Sequence, residues 1–148
     1  MKVVIQRVSR AEVRVEGRRV GAIGEGLLLL VGLERGDGEV QLERAARKIA
    51  GLRVFEDDEG KLNRSLQETG GSVLAVSQFT LAGSLRRGRR PSFDRALPAG
   101  EAAPLFERFV ALLRGHGLAV ETGVFRATME VELVNHGPVT FVWDDPPG

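Results

Sequence analysis

The chain has 148 residues, 43% of them apolar and 28% charged, with a formal net charge of +1. That length is about one domain and can bury about two-thirds of its unfolded surface, so neither a disordered chain nor a stapled mini-protein is expected. The absence of cysteine removes disulfides, thiolate nucleophiles and cysteine-held zinc or iron–sulfur sites. No window approaches the length of apolar sequence a membrane helix needs. The opening Met1–Arg7 carries an apolar run of only three residues and no secretory core, so a soluble cytoplasmic protein is expected. Of 21 basic residues, 18 are arginine. Arginine suits bidentate phosphate contacts, but these are spread along the chain, and only local clusters bear on a partner.

In chain order, Val3–Val8 and Glu12–Glu16 read as strand, with Glu16-Gly17-Arg18 as a tight turn into a third strand, Arg19–Ile23. The apolar run Leu27–Val31, preceded by Gly24 and Gly26, reads as a buried strand because it is too short for a buried helix. Asp37 is placed to cap a helix over Gly38–Ala50. Val40, Ala45, Ala46, Ile49 and Ala50 form its inner face, and Gly51 follows its end. Val73–Phe79 reads as another buried strand, and Ala82–Ala99 as a long polar loop. A second helix spans Glu101–Arg114, with Pro104 in its first turn, a stripe of Leu105, Phe106, Phe109, Val110, Leu112 and Leu113, and Gly115 as its stop. Leu118–Val124 is a strand. Met129, Val131 and Leu133 alternate with Glu130 and Glu132 as in a sheet with one wet face. Pro138–Trp143 is the last strand, and Asp144–Gly148 reads as a frayed tail. Strands interleaved with two main helices give a mixed α/β or α+β domain.

Catalytic signatures are sparse. His116 lies between two glycines at a helix end, where a solvated cap is expected, and His136 lies in an expected turn. Sequence order leaves a Ser-His-Asp triad open, but there is no nucleophile elbow, Walker loop or zinc-binding helix motif. The run Glu56-Asp57-Asp58-Glu59-Gly60 reads as a solvated turn, because its carboxylates are consecutive instead of alternating as calcium loops require.

Three segments carry more information. Ser77-Gln78-Phe79-Thr80 places polar groups at the C-terminal end of an apolar strand, a common position for binding groups; ordinary strand termination would look the same. Asn135-His136-Gly137-Pro138-Val139-Thr140 reads as a turn, either a plain hairpin or one holding a cis Gly–Pro bond. The loop Ser84–Arg95 packs five arginines into ten residues. It is either a solvated loop or a phosphate-binding one.

Together, Ile5-Gln6-Arg7-Val8, Gly70-Gly71-Ser72-Val73, Ser77-Gln78-Phe79-Thr80-Leu81, Arg90-Pro91-Ser92-Phe93 and Asn135-x-Gly137-Pro138-Val139-Thr140-Phe141 resemble, in order and spacing, the D-aminoacyl-tRNA deacylase family. The resemblance runs from Lys2 to about Val142 and leaves out Trp143–Gly148. It implies one compact, mixed-sheet, β-barrel-like α/β domain over residues 1–148, forming a homodimer with active sites at the subunit interface. It implies hydrolysis of the ester joining a D-amino acid, or glycine mischarged on alanine tRNA, to the tRNA 3′ end, with L-aminoacyl-tRNA rejected. By the same resemblance Ser77, Gln78, Phe79 and Thr80 line the catalytic pocket. Gly137 and Pro138 form a cis pair that enters the neighbouring subunit's pocket, held by Arg7. Phe125, Met129 and Ala102 lie near the aminoacyl group.

The residues suit that chemistry. An aminoacyl ester is already activated, so positioned water and oxyanion donors can suffice. Main-chain N–H groups around Phe79 and Thr80 are the natural donors. Arg86, Arg87, Arg89 and Arg90 are the candidates for tRNA phosphates. No metal or cofactor is expected. Two other readings stay open: a non-catalytic tRNA-binding proofreading module, and a small ester or nucleotide hydrolase using Thr80 with His136.

Overall fold

The computed structural model describes residues 1–147, and the last position of the expected tail, Gly148, lies outside them. Eight strands and three α-helices follow in the order β1 (Lys2–Val15), β2 (Arg18–Ile23), β3 (Gly26–Gly32), α1 (Glu39–Gly51), β4 (Arg53–Glu56), β5 (Leu62–Ser65), α2 (Leu66–Thr69), β6 (Ser72–Ser77), α3 (Ala99–Gly115), β7 (Ala119–Thr122) and β8 (Glu130–Asp144). The main sheet runs β2-β1-β3-β6-β7, with β8 on the other edge of β1, and β4 and β5 form a separate ribbon. β3, β6 and β7 are parallel, and the other neighbours are antiparallel. β7 curls back towards β2, where the Gly21 Cα faces the Thr122 carbonyl. The sheet is thereby nearly closed, the mixed barrel-like α/β domain that was expected.

Burial on both faces explains the unbroken apolar run of β3. Leu27 and Leu29 face α1 and α3, meeting Leu42, Ile49, Phe109 and Leu113. Leu28 points into the barrel with Val8, Val13, Leu74 and Val76. The two stretches expected for residues 3–16 are one continuous strand. Its register against β8 shifts on both sides of Val8. Val3, Ile5 and Arg7 therefore face one side, while Ala11 and Val13, of the same parity, fill the barrel. An extra residue in a ladder reverses which face the following side chains take.

Several local expectations are corrected. Asp37 does not cap α1: its Oδ1 accepts from the Met1 ammonium at 2.9 Å and its Oδ2 from the Glu34 N–H at 2.7 Å. The helix starts instead at Gly38, whose N–H donates to Gln41 Oε1 at 2.9 Å. Val40 is 53% exposed, and Leu42 takes its place inside. Pro104 lies in the second turn of α3, where the carbonyl it leaves unpaired belongs to solvent-exposed Gly100. His116 ends α3 through its backbone N–H, and Gly117, with φ 83°, supplies the left-handed residue. The tail is ordered further than expected. Asp144 ends β8, and Asp145 exchanges both main-chain hydrogen bonds with Met1. The four-residue α2 and the β4–β5 ribbon were not anticipated. The ribbon encloses the acidic turn, where Asp57 accepts from the Glu59 and Lys61 N–H groups and from Asn63. Those bonds, that of Lys61 foremost, hold the Asp57 carboxyl below its usual range.

The largest correction concerns Asn135–Thr140. It is no hairpin turn, because β8 continues along β1 on both sides of it. Val8 faces Asn135 and Gln6 faces Thr140, so five steps on β8 answer two on β1. The surplus chain stands out from the sheet as a bulge containing a cis Gly137–Pro138 bond.

Candidate active site

A pocket of about 520 Å³ opens where β6 ends, lined by Leu33, Val76, Ser77, Gln78, Phe79, Leu97, Ala99, Ala102, Phe125, Arg126, Ala127, Met129 and Val131. β6 delivers Ser77 opposite Val31, and the next N–H, of Gln78, still donates to the Val31 carbonyl at 2.7 Å. The chain then tightens into a 3-10 turn over Phe79–Ala82. Gly32 permits that packing: a Cβ there would lie 2.7 Å from Leu81 Cβ and 3.1 Å from the Gln78 carbonyl oxygen. The first N–H groups of such a turn have no partner within it. Among the described residues no outside acceptor pairs with those of Phe79 and Thr80.

The pocket joins Ser77, Gln78, Phe79, Ala102, Phe125 and Met129, six of the residues singled out from the sequence. Ala102 is buried in α3, and Phe125 packs on core Phe106 with ring centroids 6.2 Å apart. Thr80 is exposed and outside the lining, and its Oγ1 is engaged by Gln78 Nε2 at 2.5 Å. Leu33, Leu97, Ala127 and Arg126 escaped the sequence reading. The first three carry only apolar surface, and Arg126 looked like one of many scattered arginines.

Gly137, Pro138 and Arg7 are not in this pocket. Arg7 and His136 line a second, smaller cavity of about 210 Å³ with Glu25, Phe55 and Thr69, so Thr80 and His136 do not form a pair within the chain. Arg7 is only 5% exposed. Its Nε donates to the His136 carbonyl at 2.9 Å and its Nη1 to the Val54 carbonyl at 3.0 Å, with Glu56 3.8 Å from Nη2. Asn135 closes the bulge: its Oδ1 accepts from the Val139 N–H at 2.8 Å, and its Nδ2 donates to Thr140 Oγ1 at 2.7 Å. At Gly137, with φ 139°, a Cβ would meet Val139 Cγ2 at 2.6 Å and Arg7 Nη2 at 3.1 Å. The result is an exposed loop of backbone held from beneath.

The arginine loop is anchored beside the pocket. Ser84 and Ser92 exchange main-chain hydrogen bonds at 2.7 and 2.9 Å, and Phe93 meets pocket residue Phe79 with ring centroids 5.3 Å apart. Arg86, Arg87, Arg89 and Arg90 lie between, all exposed. A separate open groove of about 510 Å³ is lined by Arg44, Arg47, Lys48, Arg53 and Trp143. It holds no carboxylate or hydroxyl that could work on an ester. Among the described residues no three histidine or carboxylate groups gather as a metal site, and no helix is long and apolar enough to cross a membrane.

A small pocket at a strand end, with unpartnered main-chain donors, Arg126 as its one charged group and no nucleophile–base pair, suits a reactive substrate that needs positioning more than activation. The family model for D-Tyr-tRNA(Tyr) deacylase matches residues 4–144. The chain is 60% identical to the D-aminoacyl-tRNA deacylase of Symbiobacterium thermophilum, over 97% of this chain and 95% of that one. It is 58% identical to the protein of the same name from Geobacter sulfurreducens, with the same coverage. Among solved structures, one named c-Myc DNA Unwinding Element Binding Protein superposes with a TM-score of 0.92 at 40% identity over 99% of both chains. A probable eukaryotic D-amino acid tRNA deacylase shares the fold at 20% identity, with a TM-score of 0.82 over 97% of this chain and 98% of that one. The chain belongs to the D-Tyr-tRNA(Tyr) deacylase family.

Arg7→Ala would leave the Val54 and His136 carbonyls without their donor. A loss of about 2–3 kcal/mol in unfolding free energy is expected, as for a hydrogen bond to a charged group, measured as a lower urea midpoint at unchanged slope. An unchanged midpoint would mean that the bulge is held without Arg7.

Proposed function

We propose that the chain is a D-aminoacyl-tRNA deacylase. It cleaves the ester joining a D-amino acid to the 3′ end of tRNA, accepts glycine, including glycine mischarged on alanine tRNA, and spares L-aminoacyl-tRNA. The observation that carries this reading is the pair of unpartnered N–H groups of Phe79 and Thr80 at the edge of a pocket that is apolar or neutral apart from Arg126. Such donors stabilise the oxyanion of a tetrahedral intermediate and need no reorganisation to do so. The ester is already reactive, so water held against it completes the chemistry without a metal or cofactor. The relatives' shared name supports the substrate class.

Selection against L-residues needs a rigid group close to Cα, and nothing within one chain brings the His136–Pro138 bulge to the Ser77–Phe79 pocket. A second copy supplies it. The bulge protrudes from β8, whose outer residues Val134, Phe141 and Val142 are exposed, Val142 by 70%. Carbonyls of Gly137 and Pro138 held over the partner's pocket would strike an L side chain and pass a hydrogen, so glycine is accepted for the same reason. Sedimentation at micromolar concentration should give about twice the 16.1 kDa chain mass, as the covering of an open sheet edge favours. A fully active monomer would overturn the shared site.

The arginine loop, fixed beside the pocket through Phe93 and Phe79, is placed to take phosphates of the acceptor end in a cytoplasmic tRNA-editing role. The direct test is ester loss from matched D-, L- and glycyl-tRNA at rising salt. D-aminoacyl and glycyl esters should be released and L-esters kept. KM should rise with salt, because each phosphate contact contributes a log–log slope of about −0.7 to −0.9 to binding. Equal release of D- and L-esters would overturn the selectivity. Binding without release would favour the non-catalytic module.

Thr80 is not the covalent nucleophile on this reading. A threonine hydroxyl needs a base, and that of Thr80 is held by an amide. The attacking group is water, and the 2′-hydroxyl beside the scissile ester can orient that water and take its proton. Thr80→Ala keeps the main-chain N–H and should lose about tenfold or less, against about 10²–10³ for removal of an oxyanion donor. A 2′-deoxy substrate should suffer more than the variant. A trapped acyl-Thr80 species would reverse this assignment.

A further inference from the structure

Every group lining the Ser77–Met129 pocket is uncharged except Arg126. This residue holds φ at 68°, in the left-handed region that residues other than glycine rarely adopt. Such a conformation costs stability, and it persists where the surroundings or a function demand it. The turn itself accounts for the backbone, because the Ala127 N–H donates to the Val124 carbonyl at 3.2 Å and Arg126 is the third residue of that turn; among the described residues, no ion pair or hydrogen bond engages its guanidinium. Arg126 is exposed, while its neighbours Phe125 and Ala127 are half-buried into the pocket wall. The left-handed turn thus leaves a free cation at the mouth of an otherwise neutral cavity.

A planar guanidinium presents paired donors that match a phosphate. The substrate class proposed above, on which this inference rests, carries both signs of charge. The α-ammonium of its amino acid is repelled by Arg126, so the amino acid must enter away from it. The anion nearest the reacting ester is the phosphate on the 5′ side of the terminal nucleoside. We infer that Arg126 is a substrate-positioning residue that grips this phosphate and so sets which end of the aminoacyl-nucleoside enters the pocket. Its role differs from that of the Arg86–Arg90 loop, which lies outside the pocket and takes phosphates further along the strand.

The test uses hydrolysis-resistant 3′-(D-alanylamino)-3′-deoxyadenosine with and without a 5′-phosphate, and calorimetric Kd values on the full chain. The wild type should bind the phosphorylated form about tenfold more tightly, as an exposed charge-assisted contact warrants. Arg126→Gln should erase that preference without weakening the unphosphorylated form, whose ammonium it no longer repels, while Arg126→Lys should restore part of the preference. Arg126→Gly accepts the left-handed backbone without strain, so it should keep the fold and still lose the preference. No phosphate preference in the wild type, or equal weakening of both analogues by Arg126→Gln, would overturn the inference. Release of D-amino acid from tRNA, assayed in parallel, separates this failure from failure of the deacylase reading. Release without phosphate preference removes only the role of Arg126, whereas absence of release removes the deacylase activity itself.

Discussion

A guanidinium withdrawn from water persists only if its donors are used and its charge is answered. Arg7 meets that condition by reaching across the molecule, to the Val54 carbonyl on the β4–β5 ribbon and to the His136 carbonyl on β8. It reaches both because of the register of β1. The shift beside Val8 leaves Arg7 on the face shared with Val3 and Ile5 while handing Ala11 and Val13 to the barrel. One irregularity in one strand therefore fills two cores and fixes the bulge. Without it, the alternation that buries Val3 and Ile5 would carry charged Glu12 and Arg14 into the barrel interior.

The pocket follows from a second constraint, the end of a parallel ladder. β6 pairs with β3 up to Ser77, and one further bond, from the Gln78 N–H, closes the register. Beyond it the chain has no partner strand and coils, leaving its leading N–H groups without acceptors. The donors that the proposed chemistry needs are thus a by-product of where pairing stops. The side chains lining the pocket are apolar or neutral apart from Arg126. Low polarity strengthens a hydrogen bond to a developing oxyanion and gives a general base little reason to be present.

Legibility in the sequence varied with range. The doubly buried β3, the apolar stripe of α3 and the turn at Gly17 were readable because neighbouring residues determine them. The cap at Asp37 was misread because its carboxylate has a stronger claim from the Met1 ammonium, thirty-six positions away. The short, irregular β4–β5 ribbon has no clear alternation: Leu62 is exposed, and polar Ser65 is buried through its bond with Glu68. The bulge at Gly137–Pro138 read as a turn between strands, because Gly-Pro signals a reversal and nothing local shows that β1 continues alongside. The pocket residues were found through the family resemblance. Physical reading alone supplied only the polar strand end at Ser77–Thr80. Arg126 was missed altogether, since a left-handed backbone at an arginine leaves no mark in composition or periodicity.

Both halves of the proposed site are made of main chain, the N–H groups of Phe79 and Thr80 on one side and the carbonyls of Gly137 and Pro138 on the other. Main-chain groups make a good test of chirality. They lack rotamers, so the clearance at Cα is set by the fold and not by a side chain that could swing aside. The requirement then falls on rigidity, which is what the Arg7 and Asn135 contacts provide beneath the bulge. The same economy exposes the site to its surroundings. A backbone site keeps its geometry only while its supports hold, so on the proposed reading selectivity depends on supports such as Arg7 and Gly32. Side chains regain a role at the pocket mouth, where the substrate's own charges arrive. There the hydrogen-bonded turn Val124–Ala127 carries Arg126, the one charged side chain of the pocket lining.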